Sequence, residues 1–392
     1  RDKVRAVSGI QVLDPDTIRF TLTEPLAIFP DILAETFNFV VPRAVVGKES
    51  ADYFASHPIG TGPFMLQSWT RGQQAVFVRN PYYFRPGKPY VDTVIVDVNV
   101  PSNVIALRIE KGTLDGFGDA SQISAADVQL ARGDPRYSSY LVPTPSIYVT
   151  WLDLNVHAGP LTQRAVRQAV AMAIDRTRLV QLLGGQAVAA NQIYVALDPQ
   201  YDPSLDQHPI FTYDLRKAAA LLKSSGYHGQ PVSLLYANNL PYAANMAPGL
   251  QQALQQIGLN ITLRGATSNS LTSLVGSLSG HQLSIGAWAV SFPDAYDVYS
   301  GDLSCGANAA GGISGSHYCD AAADALAQRA ESQPLGTTRN ALLRQAQRRI
   351  LQVASTVPLV YLKQVEMVSP QVGGFYYEPI FGWQFENYWL KR

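Results

Sequence analysis

Rough alternation of apolar and polar positions recurs in short runs through the first quarter of the chain. Ile10 to Leu22 predicts two short strands about an Asp14-Pro15-Asp16 turn. Pro25 to Leu33 and Phe37 to Val41 continue this region, and Pro42 to Tyr53 reads as a short polar helix or loop. In the Gly-Thr-Gly-Pro turn that follows Pro58, Gly60 and Gly62 can take backbone angles closed to other residues, and Pro63 fixes one more. Phe64 to Trp69 and Ala75 to Val78 then alternate about Arg71-Gly72, the pattern of a hairpin. A rigid, aromatic-rich connection from Asn80 to Tyr90 leads to a third strand in Val91 to Val98, with Val94, Val96 and Val98 on one face.

Helical periodicity takes over from Ser102. Ser102 to Lys111 and Ser124 to Leu130 predict helices, each behind a serine cap, and Tyr137 to Leu141 and Tyr148 to Leu154 predict strands separated by Pro143 and Pro145. Beyond Asn155, Ala165, Val166, Ala169, Val170 and Ala173 share one helical face, and Asp175 caps a second helix that Gly184-Gly185 ends. A helix from Asp214 to Gly226, a strand Val232 to Tyr236, a helix Ala244 to Gly258 and a strand Leu259 to Leu263 follow. The last three form a β-α-β unit, which calls for a parallel pair. His281 to Val290 predicts a further strand, Asp320 to Ala330 and Thr337 to Ala354 two helices, and Pro358 to Leu362 a strand.

Length and charge narrow the class. A chain of 392 residues divides into two or more domains, each able to bury a core. With 30 basic and 30 acidic residues there is no net charge to draw nucleic acid or an anionic membrane. Twenty tyrosines supply groups that are both apolar and hydrogen-bonding. No nucleophile–base pair, carboxylate dyad, G-x-S-x-G elbow or Walker loop stands out, and the six histidines lack H-x-x-x-H spacing. Length and composition agree with a large soluble binder without naming one, and no cofactor is called for.

The ordered set I-G-T-G-P-F (Ile59–Phe64), R-N-P-x-Y (Arg79–Tyr83) and G-K-P-Y-x-D (Gly87–Asp92), followed by an alternating strand, resembles the family 5 extracellular solute-binding proteins. Leu114-Asp115 after Gly112, and the run Val166, Arg167, Ala169, Ala173, Ile174, Asp175 and Arg176, resemble further family signatures. The resemblance spans nearly the whole chain. It implies an α/β, periplasmic-binding-protein-like (type II, cluster C) fold of two lobes and a hinge, with mixed sheets flanked by helices. It divides the chain into a remnant of a small extra domain (residues 1–57), lobe I (58–154 and 364–392) and lobe II (155–363), with hinge segments near Tyr148 to Asn155 and Leu362 to Glu366. It implies capture of a small ligand, a peptide or a neutral oligosaccharide-like solute, and delivery to the membrane permease subunits of an ABC importer. The protein is then expected as a monomer outside the cytoplasm, in the periplasm or as a cell-surface lipoprotein. A non-transport binding protein or a hydrolase on the same fold is the alternative. Because family members match this start well inside their own chains, a missing N-terminal segment is expected, a naturally short relative being the other option.

Cys305 and Cys319 are the only cysteines. A thiolate–imidazole metal site with His317 would need a further ligand at suitable spacing, whereas a disulfide would tie the Gly-rich loop between them. Some dipeptide binders of the family have a cysteine pair at this place, and an oxidised pair suits a compartment outside the cytoplasm. In peptide-binding members an aspartate three residues after a tryptophan meets the α-amino group; after Trp288 that position is Ser291. In dipeptide binders an arginine before a Pro-Tyr pair grips the carboxylate; here Leu240 precedes Pro241-Tyr242. Asp294 or Asp297 could replace the first anchor. The ligand-binding candidates are accordingly Trp288, Ser291, Phe292, Asp294 and Tyr296 on one loop, Asn238, Asn239 and Tyr242 on another, and Tyr148 and Trp151 on a strand. Aromatic faces with amides and hydroxyls suit a neutral hydroxylated ligand or a peptide held through its backbone.

Overall fold

The computed structural model describes residues 9–43, 45, 51–117, 125–135, 138 and 141–391. They form two compact units. The first draws on Arg1–Gly118, Arg136–Val142 and Glu366–Arg392, and the second on Asp119–Pro135 and Pro143–Val365.

The first unit begins with the antiparallel hairpin β1 (Ile10–Asp14) and β2 (Thr17–Phe20), whose turn is held by the Asp14 carboxylate accepting from the Asp16 amide at 2.9 Å. Helices α1 (Phe29–Leu33) and α2 (Ala51–Ser56) follow. Strands β3 (Phe64–Thr70), β4 (Gln74–Arg79) and β5 (Thr93–Asp97) make an antiparallel sheet, with Val94 opposite Phe77 and Val96 opposite Ala75. The glycines of the preceding turn act differently from expectation. Neither Gly60 nor Gly62 has a positive φ; the Asn80 side chain and amide instead fix the turn by donating to the carbonyls of Gly62 (2.7 Å) and Pro63 (2.9 Å). Helix α3 (Ser102–Glu110) has Pro101, not Ser102, at its N-cap. A proline there already has the fixed φ that a helix entry accepts. The short strand β6 (Gly116–Phe117) ends this part.

The second unit opens with α4 (Ala125–Gly133); Ser124, expected to cap it, lies outside the described residues. Strand β7 (Leu141–Leu154) is one strand where two were expected. A proline costs a strand one N–H but keeps an extended φ, so Pro143 and Pro145 do not end it. Tyr137 lies outside the described residues. Helix α5 (Arg164–Ala173) buries Val166, Ala169, Val170 and Ala173 as the periodicity predicts, and Asp175 caps α6 (Arg176–Leu182) by accepting from the Arg178 amide. Then come β8 (Ala187–Ala189), α7 (Ser204–Gln207), α8 (Leu215–Ser224), β9 (Pro231–Ala237), α9 (Pro241–Gln256), β10 (Asn260–Ala266), α10 (Ser268–Val275) and β11 (Leu283–Ala289). After α11 (Tyr296–Val298) and a π-helical turn (Tyr299–Leu303), the chain completes α12 (Ala321–Glu331), α13 (Thr337–Gln352) and β12 (Thr356–Val368).

In this unit the strands lie in the order β10-β9-β11-β7-β12, with β8 against β12. Helices cover both faces. Leu152 and Leu154 of β7 join a core with α5, α8 and α9, whereas Val149 and Trp151 join a second core with α12 and α13. The two-residue period of a strand makes this division, and burial on both sides leaves β7 a nearly continuous apolar run. The last residues of β12 belong to the first unit, where Met367 and Val368 pair with Phe117 and Gly116 of β6. That unit closes with short strands β13 (Val372–Gly373), β14 (Tyr377–Glu378), β15 (Gly382–Trp383) and β16 (Trp389–Leu390) around a cluster of Phe375, Trp383, Phe385 and Tyr388.

Cys305 and Cys319 are joined by a disulfide, with Cα atoms 4.4 Å apart. The bridge closes a loop rich in glycine and serine, so replacing both cysteines by serine is expected to lower stability by about 3 kcal/mol in the chain-entropy view. Urea unfolding of the double variant against the oxidised parent measures it.

Candidate ligand-binding site

The strand order places a crevice. β9 and β10 are parallel, as are β9 and β11; α9 carries the chain from β9 to one neighbour and α10 returns it to the other side. The direction of winding therefore reverses between β9 and β11. Outside the carboxyl ends of strands at such a reversal, neighbouring loops diverge and leave room for a ligand. Asn238 and Asn239 follow β9 there, α9 begins at Pro241, and Val290 to Ala295 follow β11. β7 runs antiparallel to β11, so Tyr148 arrives at the same end, opposite Ala289.

Five candidates come together on these ends. The Tyr242 hydroxyl, pushed up to about 12 by burial and by the neighbouring Tyr148, makes no hydrogen bond among the described residues. Tyr148 is half-buried and also packs against the core that Trp288 touches. Trp288 lies on Gly301, where a side chain of any kind would collide with the indole. One carboxylate, Asp297, sets the turn after β11 by accepting from the Trp288 indole N–H at 2.8 Å and from the Ser291 amide at 2.7 Å. Ser291 is half-buried with its hydroxyl unbonded among the described residues. Tyr296 is half-buried on α11.

The remaining candidates are placed otherwise. Asn238 is exposed, its backbone N–H bonded to the Ala266 carbonyl; Asn239 is exposed and binds α10, its side-chain oxygen accepting from the Ser268 amide at 2.8 Å. Trp151 is a core residue, 1% exposed, donating to Asp153 at 3.0 Å. Phe292 is buried as well. Asp294 faces inward: both its oxygens accept from the Arg339 guanidinium, at 2.5 and 2.8 Å, while Gln200 and the Tyr296 amide add one hydrogen bond each. A shallow hollow lined by Arg176, Ile210, Phe211 and Leu351 shares no residue with this crevice.

Linear spacing carried no signal for the residues that hold the loop. Arg339 is fully buried and also bonds Glu331 at 2.7 Å; Gln200 reaches Asp294, Asn340 and the Ala295 amide. Burial pushes Glu331 up to about 7 against the attraction of Arg339, and the charge of Asp294 adds to the rise. Burial opposes the charge of Arg339, but its two carboxylates outweigh that and raise its pKa.

Mixed sheets covered on both faces, with uncharged and aromatic groups gathered at strand ends, define a protein of the ligand-binding α/β class. The family model for bacterial extracellular solute-binding proteins, family 5, matches residues 3–310, and the chain belongs to that family. It is 27% identical over 379 residues to the probable D,D-dipeptide-binding periplasmic protein DdpA of Escherichia coli K12, covering 95% of this chain and 71% of that protein. It is 26% identical over 393 residues to the glutathione-binding protein GsiB of Escherichia coli, covering 97% and 74%. A periplasmic binding protein, DppA of Helicobacter pylori, solved with the peptide STSA, superposes with a TM-score of 0.82 at 25% identity, covering 98% of this chain and 74% of that one. The fold class is that of the periplasmic binding proteins, and the role is capture of a solute for an ABC importer.

Because Arg339 compensates two buried carboxylates, Arg339→Met is expected to destabilise the protein by about 3–5 kcal/mol. Chemical denaturation checks this, and loss of near-ultraviolet dichroism from Trp288 would report the loop.

Proposed function

We propose that the crevice at the ends of β9 and β11 binds a short peptide, or an amide-bearing solute of similar size, through neutral groups and aromatic faces. The observation that carries this is the state of the loop's acids. Asp294 is neutralised by Arg339, and Asp297 already accepts two N–H groups from its own loop. Among the described residues, what remains without a hydrogen-bond partner there is uncharged, the hydroxyls of Tyr242 and Ser291 and the side-chain amide of Asn238, with the rings of Tyr148 and Trp288 at the same strand ends. The names of DdpA and GsiB favour peptides as the ligand class. The carboxylate nearest Ser291, Asp297, is engaged by two N–H groups of its own loop, so recognition runs through the peptide's amides and side chains and not through its ammonium. Binding occurs without turnover, and the protein works in the periplasm or at the outer cell surface beside its importer.

Native mass spectrometry of the purified chain, followed by calorimetric titration with dipeptides, tripeptides and neutral oligosaccharides, identifies the ligand. The expected result is a peptide ligand whose affinity survives acetylation of the α-amino group. Loss of binding on acetylation overturns the neutral-group reading and assigns the ammonium to Asp297. Tyr242→Phe removes one open hydroxyl and should weaken binding by about 0.5–1.5 kcal/mol, roughly two- to tenfold.

A further inference from the structure

The indole of Trp288 is held at both ends. Its N–H donates to Asp297, and the far edge of its six-membered ring lies against Gly301, where an added Cβ would come within 2.7 Å of Cζ2 and 2.9 Å of Cζ3, and closer still to Cη2. A ring pinned at the pyrrole end cannot swing aside to make room, so the bare backbone of Gly301 is the seat on which it rests. Gly301 stands in the π-helical turn Tyr299–Leu303, closed by the Ser304 amide donating five residues back to the Tyr299 carbonyl at 2.8 Å. Such turns are rare and recur at functional sites.

One carboxylate spans this turn. Asp324, in the first turn of α12, accepts from the Tyr299 hydroxyl at 2.8 Å and from the Cys305 amide at 3.1 Å. The two donors stand at the first residue of the π-helical turn and two residues beyond its last. Asp324 has no ion pair among the described residues, so these donors are what it serves. Tyr299 is 2% exposed, and burial together with the bond to Asp324 raises its pKa, which keeps the hydroxyl a donor. The disulfide ties the same region to α12, because Cys319 precedes Asp320, whose side chain caps that helix by accepting from the Ala322 and Ala323 amides. A further tie is independent of Asp324: the Asn308 side chain donates to the carbonyls of Asp302 (2.7 Å) and Ser304 (2.9 Å). The segment therefore stays anchored when Asp324 is changed. What Asp324 adds is a fixed span from Tyr299 to Cys305, across the residue that seats the indole.

We propose that Asp324 is a positioning residue of the ligand crevice: by clamping Tyr299 and Cys305 it fixes Gly301, and through Gly301 the plane in which the Trp288 ring is offered to a ligand. Its effect on affinity rests on the crevice reading above, whereas its effect on the indole does not. Removing the carboxylate leaves a buried hydroxyl and an amide without their acceptor, and the turn must shift to satisfy them.

The test reads the near-ultraviolet dichroism of Trp288 as the difference between each protein and the same protein carrying Trp288→Phe, which takes the other four of the five tryptophans out of the signal. Asp324→Ala should lose most of that band and weaken binding of di- and tripeptides roughly two- to tenfold, the worth of one hydrogen bond or aromatic contact. Asp324→Asn, whose amide oxygen still accepts from Tyr299, should keep both. Tyr299→Phe severs the same clamp with less disturbance and decides the matter should Asp324→Ala not fold. A folded variant lacking the clamp that shows the parent's band, or an altered band with the parent's affinity, overturns the proposal. A lowered unfolding midpoint alone is what a merely structural carboxylate gives, and it overturns the proposal too. Gly301→Ala should change the band with Asp324 intact; an unchanged band refutes the seat. If the parent binds no peptide, the crevice reading fails by itself, and the band still decides whether Asp324 sets the ring.

Discussion

The buried guanidinium of Arg339 is the interaction on which the ligand loop depends. Taking it out of water costs several kcal/mol, and the two carboxylates brought against it carry the same penalty. The geometry that offsets this is a fork on Asp294 and a single bond to Glu331. Two anions to one cation leave the cluster with an excess negative charge. Burial pushes Glu331 up to about 7, with the charge of Asp294 adding to the rise. Gln200 ties a loop far away in sequence to the same carboxylate and to the Ala295 amide. The chain after β11 therefore leaves the sheet along a path set by α12 and α13, and only within that path can Asp297 gather Trp288 and Ser291.

A consequence is that the acids near the crevice serve the protein before any ligand. Asp297 completes a turn, Asp294 neutralises an arginine, and Asp153 receives an indole N–H beneath the same sheet. In each case a carboxylate satisfies donors that burial would otherwise leave unpaired.

Local patterns in the sequence carried most of the elements, because periodicity and caps act over a few residues. The α5 face, the Asp175 and Asp214 caps and the parallel β9–β10 pair follow from spacing alone. Trp151 shows where this stops. On a strand buried on both faces, alternation does not say which side is wet, and an aromatic residue reads equally as wall or core. β7 continues through two prolines because its pairing, not its composition, decides its length. Arg339 on α13 reads as one charge on a solvated helix face; nothing within four residues announces that its partners are Asp294, Glu331 and Gln200. Long-range charge pairing leaves no trace in linear spacing, and the fate of Asp294 was illegible for that reason.

The crevice that results can discriminate without a fixed charge. Tyr242 and Ser291 present hydroxyls that have no hydrogen-bond partner among the described residues, near the rings of Tyr148 and Trp288. While the site is open, water bonds to those hydroxyls at little cost. When a ligand displaces the water, each hydroxyl must find a partner on the ligand or remain buried and unpaired, at about 1–3 kcal/mol apiece. A solute that matches in apolar shape but lacks the hydrogen-bonding groups is rejected by that penalty, more sharply than one differing by a methylene. Aromatic faces tolerate varied side chains, whereas the hydroxyls demand a fixed polar frame. A peptide backbone, constant while its side chains vary, is the kind of solute that such a division of labour admits.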